Sequence, residues 1–216
     1  MIRAAGRFEN ALIVLVADHG ESFGEHDTLQ HGNHLNQEEL HVPLIVRFPQ
    51  GQFAGVRVSQ PVGLIDVFPT ILRQTGTSPR LSYPIPGVDL TTHAAAPGSV
   101  PRRYIFAEHS IYDANTLDIV GVIDEDGYKR TVDMAVTPTS RATEKSIGLW
   151  DTRGDAGEQA DLTATLPLRA AYDEQLIAQW LLIQQQSRDS LVSGRAPSLE
   201  MTDYLRKDLR ALGYLH

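Results

Sequence analysis

The sequence predicts an α/β sheet with helices, followed by a small α+β subdomain built on an antiparallel sheet. Three observations predict it. An uninterrupted, β-branched-rich apolar run at 11–17 ends in a polar, glycine-containing loop, as a strand of an open α/β sheet does. Strands, loops and a helix then alternate up to residue 103. From residue 104 the pattern changes to short strands joined by a tight Asp-Gly turn, and then to one long helix. The expected organisation is a main α/β part at 1–103, an antiparallel-sheet plus helix subdomain at 104–186, and a tail helix within 187–216.

The elements follow in order. Residues 11–17 read as a buried strand of parallel type, which needs neighbours on both sides. Little sequence precedes it to supply them. Either later strands cover it, or the chain is the back part of something longer. Residues 18–38 form a polar loop rich in histidine. Residues 42–48 read as a second apolar strand, with Pro43 near its start, where a missing N–H is tolerated. A turn at 50–55 leads to a short strand or extended segment at 56–61. Residues 64–76 read as a helix with Asp66 as N-cap, Pro69 in the first turn and Gly76 at its end. Residues 77–103, rich in Pro, Gly, Ser and Thr, read as a long loop.

Residues 104–108 are a third apolar strand. Residues 118–124 and 128–134 flank Asp126-Gly127, a strong hairpin pattern. Residues 147–151 form a further strand closing on that hairpin. Residues 167–186 read as a helix whose apolar stripe is Leu168, Tyr172, Leu176, Trp180 and Ile183. Residues 187–198 read as a polar stretch and 199–212 as a short closing helix.

Composition narrows the function. The 216 residues carry a formal charge of −8, with Arg and Lys scattered and no basic stripe, which argues against nucleic acid as a partner. There is no cysteine, hence no disulfide, thiolate metal site or thiol nucleophile. No apolar run is long enough to span a bilayer, and the first residues lack a signal-peptide core.

The chemistry concentrates at Asp18-His19-Gly20-Glu21. Five of the eight histidines lie between residues 19 and 41: His19, His26, His31, His34 and His41. A strand ending in Asp-His delivers a hard anionic oxygen and an imidazole nitrogen to the sheet's carboxyl edge, a donor pair suited to zinc, manganese or another divalent ion. Gly20 is expected to let the backbone turn sharply there. An isolated Asp-His pair is more often a turn cap with a histidine packed under the loop; the density of histidines brings the metal reading level with it. Glu21 and Glu25 are expected to be solvated or to support the ligands from behind. His41 is expected to be structural. His93, His109 and His216 lie far from the cluster in sequence and receive no role.

The run Leu12-Ile-Val-Leu-Val-Ala-Asp-His-Gly-Glu-Ser-Phe-Gly-Glu-His26, then Gln30-His31-Gly32, then residues 38–46, resembles a conserved block of sulfatases. These belong to the alkaline-phosphatase superfamily, together with phosphonate monoester hydrolases and phosphoethanolamine transferases. Residues 62–72 resemble the family's Asp-x-x-Pro-Thr-x-Leu helix. Residues 87–90 resemble its Gly-x-Ser/Asp-Leu turn, 105–108 the strand that follows, and 149–162 its Leu-Tyr-Asp block.

The resemblance implies part of an alkaline-phosphatase-like sheet and metal-dependent hydrolysis of sulfate esters. Asp18 and His19 align with metal ligands for one divalent ion, which is calcium, magnesium, manganese or zinc. His31 aligns with a catalytic position that contacts the sulfate or phosphate group, as a cation or as a neutral donor. His34 is a further candidate for the same substrate contact. The partner implied is a small sulfate or phosphate ester. The superfamily's phosphodiesterases, phosphonate hydrolases and phosphoethanolamine transferases share the block and stand as the alternative chemistry.

The family's nucleophile and first acidic metal ligands lie before this block. The expectation is therefore a fragment, the carboxyl-terminal part of a catalytic domain, without turnover as an isolated chain. A periplasmic or secreted longer parent is consistent with the family. The remaining alternative is a truncated, non-catalytic remnant that self-associates through exposed sheet edges. Residues 99–103 do spell Ser-x-Pro-x-Arg, the pattern of serine-type sulfatases. They follow the Asp-His block instead of preceding it and lie in a loop, so the match is read as chance. Ser99→Ala is accordingly expected to leave arylsulfate turnover unchanged in any active assembly that contains this chain.

Overall fold

The computed structural model describes residues 3–32, 34–79, 85–99, 103–109, 119–134 and 147–192. Residues 1–177 form one compact unit and 178–216 a second. The expected closing helix at 199–212 lies outside the described residues.

Strand β1 (Ile13–Val16) pairs antiparallel with β4 (Leu44–Arg47), and the two form a two-stranded ribbon. Pro43 sits immediately before β4, where its missing N–H breaks no ladder. The expectation of a buried strand with neighbours on both sides is corrected here. Leu15 and Ile45 face each other across the ribbon and are 57% and 62% exposed. The reason is the absence of a covering layer on that face among the described residues.

Between these strands, residues 18–38 are more structured than a loop. They hold a small β2 (Ser22–Phe23) and β3 (Leu29–Gln30) hairpin with a 3-10 turn at Glu25–Asp27. The one-turn helix α1 (Gln37–Leu40) then leads to β4. Residues 56–61 form no strand.

The expected helix is a 3-10 turn at Leu64–Asp66 running into α2 (Val67–Thr75), ended by Gly76 at φ 66°. Asp66, fully buried, accepts hydrogen bonds from the Gly63 and Val88 amides at 2.8 Å each and pairs with Arg103. Thr70 donates to the Asp66 carbonyl at 2.6 Å and accepts from the Leu90 amide at 2.9 Å. Gly87 (φ 91°) passes so close to Ile65 that a Cβ would lie 2.4 Å from its carbonyl oxygen. The helix and turn motifs are therefore one hydrogen-bonded unit. A short helix, α3 (Thr91–Ala95), occupies part of the stretch expected to be loop.

Strands β5 (Ile105–His109), β6 (Ile119–Ile123), β7 (Tyr128–Asp133) and β8 (Gly148–Asp151) form an antiparallel sheet in that order. The β6–β7 hairpin turns at Gly127 (φ 84°), as the Asp-Gly pattern predicts. Ile119, Val120, Val122, Leu149 and Trp150 are buried in and around this sheet, together with Ala170 and Ile177 of helix α4 (Pro167–Val192).

The apolar stripe expected for α4 is corrected. Leu168 is 87% exposed and Tyr172 half-exposed, whereas Ala170, Asp173 and Ile177 are buried. The helix has turned its smaller side chains inward and placed its charged ones against the hairpin. Arg169 pairs with Asp124 and with Asp126 (2.8 Å), and Arg130 pairs with Glu174 at 2.5 Å. The helix also continues past residue 186, where the sequence reads as polar and non-helical.

Asp173 is fully buried, and neither carboxylate oxygen has a hydrogen-bond partner among the described residues. Burial, reinforced by the nearby Asp124 charge, raises its pKa from 3.8 to about 7. The folded state thus holds a proton that the unfolded state releases at lower pH. The resulting stabilisation is complete below the unfolded value and is lost as pH rises through about 7. Thermal melts are expected to show a lower Tm at pH 8 than at pH 5, and Asp173→Asn is expected to flatten that difference. An unchanged pH dependence in the variant counts against the assignment.

Candidate metal and anion site

The exit of β1 carries Asp18 and His19 into solvent-accessible positions, their side chains 75% and 35% exposed. Gly20 follows, its amide bonded to the Glu39 carbonyl at 2.8 Å, and the Glu21 amide reaches the Glu38 carbonyl at 3.1 Å. These two bonds draw the β1 exit against α1. A Cβ on Gly20 would lie 1.9 Å from the Glu38 carbonyl oxygen. The glycine is needed for close backbone approach, and its φ is not in the left-handed region. The sequence reading identified the right residue for a different reason.

His19 Nδ1 lies 2.8 Å from the Gly20 carbonyl oxygen. A carbonyl only accepts, so Nδ1 carries the proton and Nε2 presents its lone pair. That Nε2 is 3.9 Å from Asp18 Oδ1. A backbone carbonyl behind one nitrogen and a carboxylate beside the other is the arrangement a ligating histidine adopts. The donor pair therefore fits a divalent ion. Among the described residues, no third carboxylate or imidazole completes a cluster with them.

His31 stacks on His19, with ring centroids 4.1 Å apart and planes 29° off parallel. Its Nδ1 meets Glu21 Oε2 at 2.9 Å, which directs Nε2 to be the free edge of the ring. Glu21 thus supports a histidine from behind, one of the two roles expected for it. Glu25 instead accepts from the Phe23 amide at 2.6 Å, and these backbone bonds lower its carboxyl pKa.

The other histidines separate from this pair. His26 is nine-tenths buried, with Nδ1 2.8 Å from Glu38 Oε1. His34 is 5% exposed, and burial lowers its pKa, which favours a neutral ring. Its electrostatic neighbours are Glu38, His109 and His26. His41 is exposed and ends α1. The sequence reading missed His109. At the end of β5, its Nε2 lies 4.0 Å from where a Cβ on Gly32 would be. A strand ending in histidine was the available signal, but more than seventy residues separate it from His34, and only the sheet brings them together.

Known proteins resemble the chain on both levels. The family model described as Sulfatase matches residues 1–77. That match covers little more than a third of the 216 residues and likens this part of the chain to sulfatases. The sulfatase YidJ of Escherichia coli (strain K12) is 36% identical over 64 residues, 30% of this chain and 12% of that protein. Arylsulfatase K of Danio rerio is 32% identical over 75 residues, 35% of this chain and 14% of that protein.

The fold agrees. A structure of BT4656 in complex with its substrate D-glucosamine-2-N,6-O-disulfate superposes with a TM-score of 0.62 at 20% identity. It covers 87% of this chain and 37% of that one. The phosphonate monoester hydrolase of Agrobacterium radiobacter gives a TM-score of 0.60 at 19% identity, over 86% of this chain and 37% of that one. The chain therefore has the alkaline-phosphatase-like fold over most of its described length and spans little more than a third of these structures.

Gly20→Ala is expected to destabilise by about 1–3 kcal/mol, because a rigid backbone carbonyl occupies the added methyl's space. A Tm within experimental error of wild type would show that the β1 exit moves freely.

Proposed function

We propose that the chain supplies part of the active site of a metal-dependent sulfatase. The observation that carries this reading is the Asp18–His19–His31 arrangement. A histidine with its metal-facing nitrogen freed by a backbone carbonyl stands beside a carboxylate and under a second imidazole. Asp18 and His19 would hold one divalent ion; calcium, magnesium, manganese and zinc are all compatible with an oxygen and a nitrogen donor. The ion, when bound, supplies Lewis-acid stabilisation of charge on an ester oxygen.

The chain's own residues do the rest of what it contributes. With Nδ1 donating to Glu21, His31 would donate from Nε2 to a non-bridging oxygen of the bound sulfate only as an imidazolium, next to the ligand histidine. Glu21 holds that ring in place. His34 is a further substrate contact in this reading, and its burial favours hydrogen bonding by a neutral ring. The nucleophile and remaining acidic ligands would come from sulfatase sequence outside residues 1–216. The exposed Leu15–Ile45 face of the ribbon and the exposed Phe68 and Ile71 of α2 suit packing against further sheet and helices. Self-association through the same surfaces is the outcome when that partner is missing.

Phosphonate or phosphodiester hydrolysis is the second reading, favoured by the likeness in fold to a phosphonate monoester hydrolase. Sulfate is preferred because the family model and the sequence relatives are sulfatases.

The test is a longer protein in which a sulfatase segment carrying the nucleophile is joined to this chain. Arylsulfate hydrolysis is expected to exceed phosphonate monoester hydrolysis, and Asp18→Asn or His19→Ala to lower kcat/KM by about 10²–10³-fold. Faster phosphonate turnover would reverse the preference. Turnover by residues 1–216 alone would refute an external nucleophile.

A further inference from the structure

His26, Glu38 and Glu158 offer ligand atoms that all lie within 4.8 Å of one another, away from the Asp18–His19 pair. Such a group has the donor composition of a second metal site. A cation is already present, however. The Lys129 side chain, 1% exposed, places Nζ 2.5 Å from Glu158 Oε1. Glu38 and Glu39 add further negative charge around it. Burial pushes Lys129 down and Glu158 up, and each partner's charge opposes the other's shift.

The same two residues grip the histidine segment. Lys129 Nζ donates to the Leu35 carbonyl. Glu158 Oε2 accepts from the Gln37 amide at 3.1 Å. Leu35 itself is buried over Gly121, whose missing side chain leaves the room: a Cβ there would lie 3.4 Å from Leu35 Cδ1. Residues 35 and 37 are thus held by side chains from β7 and from the loop after β8, on either side of Asn36, which is also buried.

We propose that Lys129 and Glu158 are positioning residues for the anion-contacting histidines. Lys129 puts a cation on Glu158, one member of the His26–Glu38–Glu158 group, and the pair holds residues 35 and 37. Through Glu38 and Glu39, that segment fixes Gly20 and Glu21, and Glu21 fixes His31. Glu39 adds a second tie by accepting from the Gly32 amide at 2.9 Å. A charge pair contributed by the antiparallel sheet thereby sets the His19–His31 stack. The proposal rests on the sulfatase reading for its purpose, though not for its test.

The 216-residue chain and its Lys129→Met, Lys129→Arg and Glu158→Gln variants are compared by NMR at one pH. The ring signals of His19 and His31 report their stacking, and the β6 and β7 amides report the sheet. Lys129→Met and Glu158→Gln are expected to move both histidine signals and to speed exchange of the Gln37 amide about tenfold or more, with the sheet amides in place. Lys129→Arg keeps a cation and is expected to hold the signals nearer wild type. If Lys129→Met loses the sheet, Glu158→Gln decides, because its amide fills the same volume. Unmoved histidine signals over an intact sheet overturn the proposal, and so does loss of the sheet in both. Neither readout requires turnover, so the proposal fails or stands independently of the sulfatase activity.

Discussion

Lys129 carries its ammonium into a place with almost no solvent access, and Glu158 meets it at 2.5 Å. Two charges so buried are costly unless each holds the other and their remaining bonds are filled. Here the Leu35 carbonyl and the Gln37 amide fill them. Breaking a buried pair of this kind by removing one partner typically costs about 3–5 kcal/mol. The antiparallel sheet and the histidine segment are therefore bound together by an interaction neither can satisfy alone. This constraint lets a loop of glycine, histidine and glutamate hold a definite shape.

Asp66 does similar work at the other end of the unit. Its carboxylate takes the Gly63 and Val88 amides and the Arg103 guanidinium, so one buried charge ties the start of α2, the turn at 87–90 and the lead into β5. Both hubs are internal acceptors for backbone amides that would otherwise be buried without partners. The ribbon of β1 and β4 has no such closure, and its Leu15–Ile45 face remains open to solvent. The unit is well tied where side-chain charges join its segments.

Four of the five clustered histidines divide between two environments. His19 and His31 stack at the β1 exit, accessible to a ligand and backed by Gly20 and Glu21. His26 and His34 are buried beside Glu38, where burial and hydrogen bonding dominate. Desolvation accompanies the division: the exposed pair keeps a ring nitrogen open to a ligand, whereas buried His26 gives Nδ1 to Glu38 and burial favours a neutral His34. Spacing in the sequence carries no trace of that difference.

Local chemistry made much of the fold readable. The Asp-Gly turn specifies the β6–β7 hairpin because few residues accept its positive φ, and Gly76 ends α2 for the same reason. The Asp18-His19 pair was legible because a strand delivers adjacent side chains to one edge. The apolar stripe of α4 was misread because helical periodicity alone does not say which face meets the sheet. Arg169, Asp173 and Ile177 were drawn inward by the hairpin's own charges and core. The sequence by itself determined the hairpin and the strand ends, because each depends on neighbours a few positions apart. Only the tertiary structure decided that His109 reaches Gly32, that Glu158 and Lys129 grip residues 35 and 37, and that β1 lies open on one face. Those outcomes depend on burial and on partners about seventy to 120 residues away, and long-range desolvation leaves no mark on local pattern.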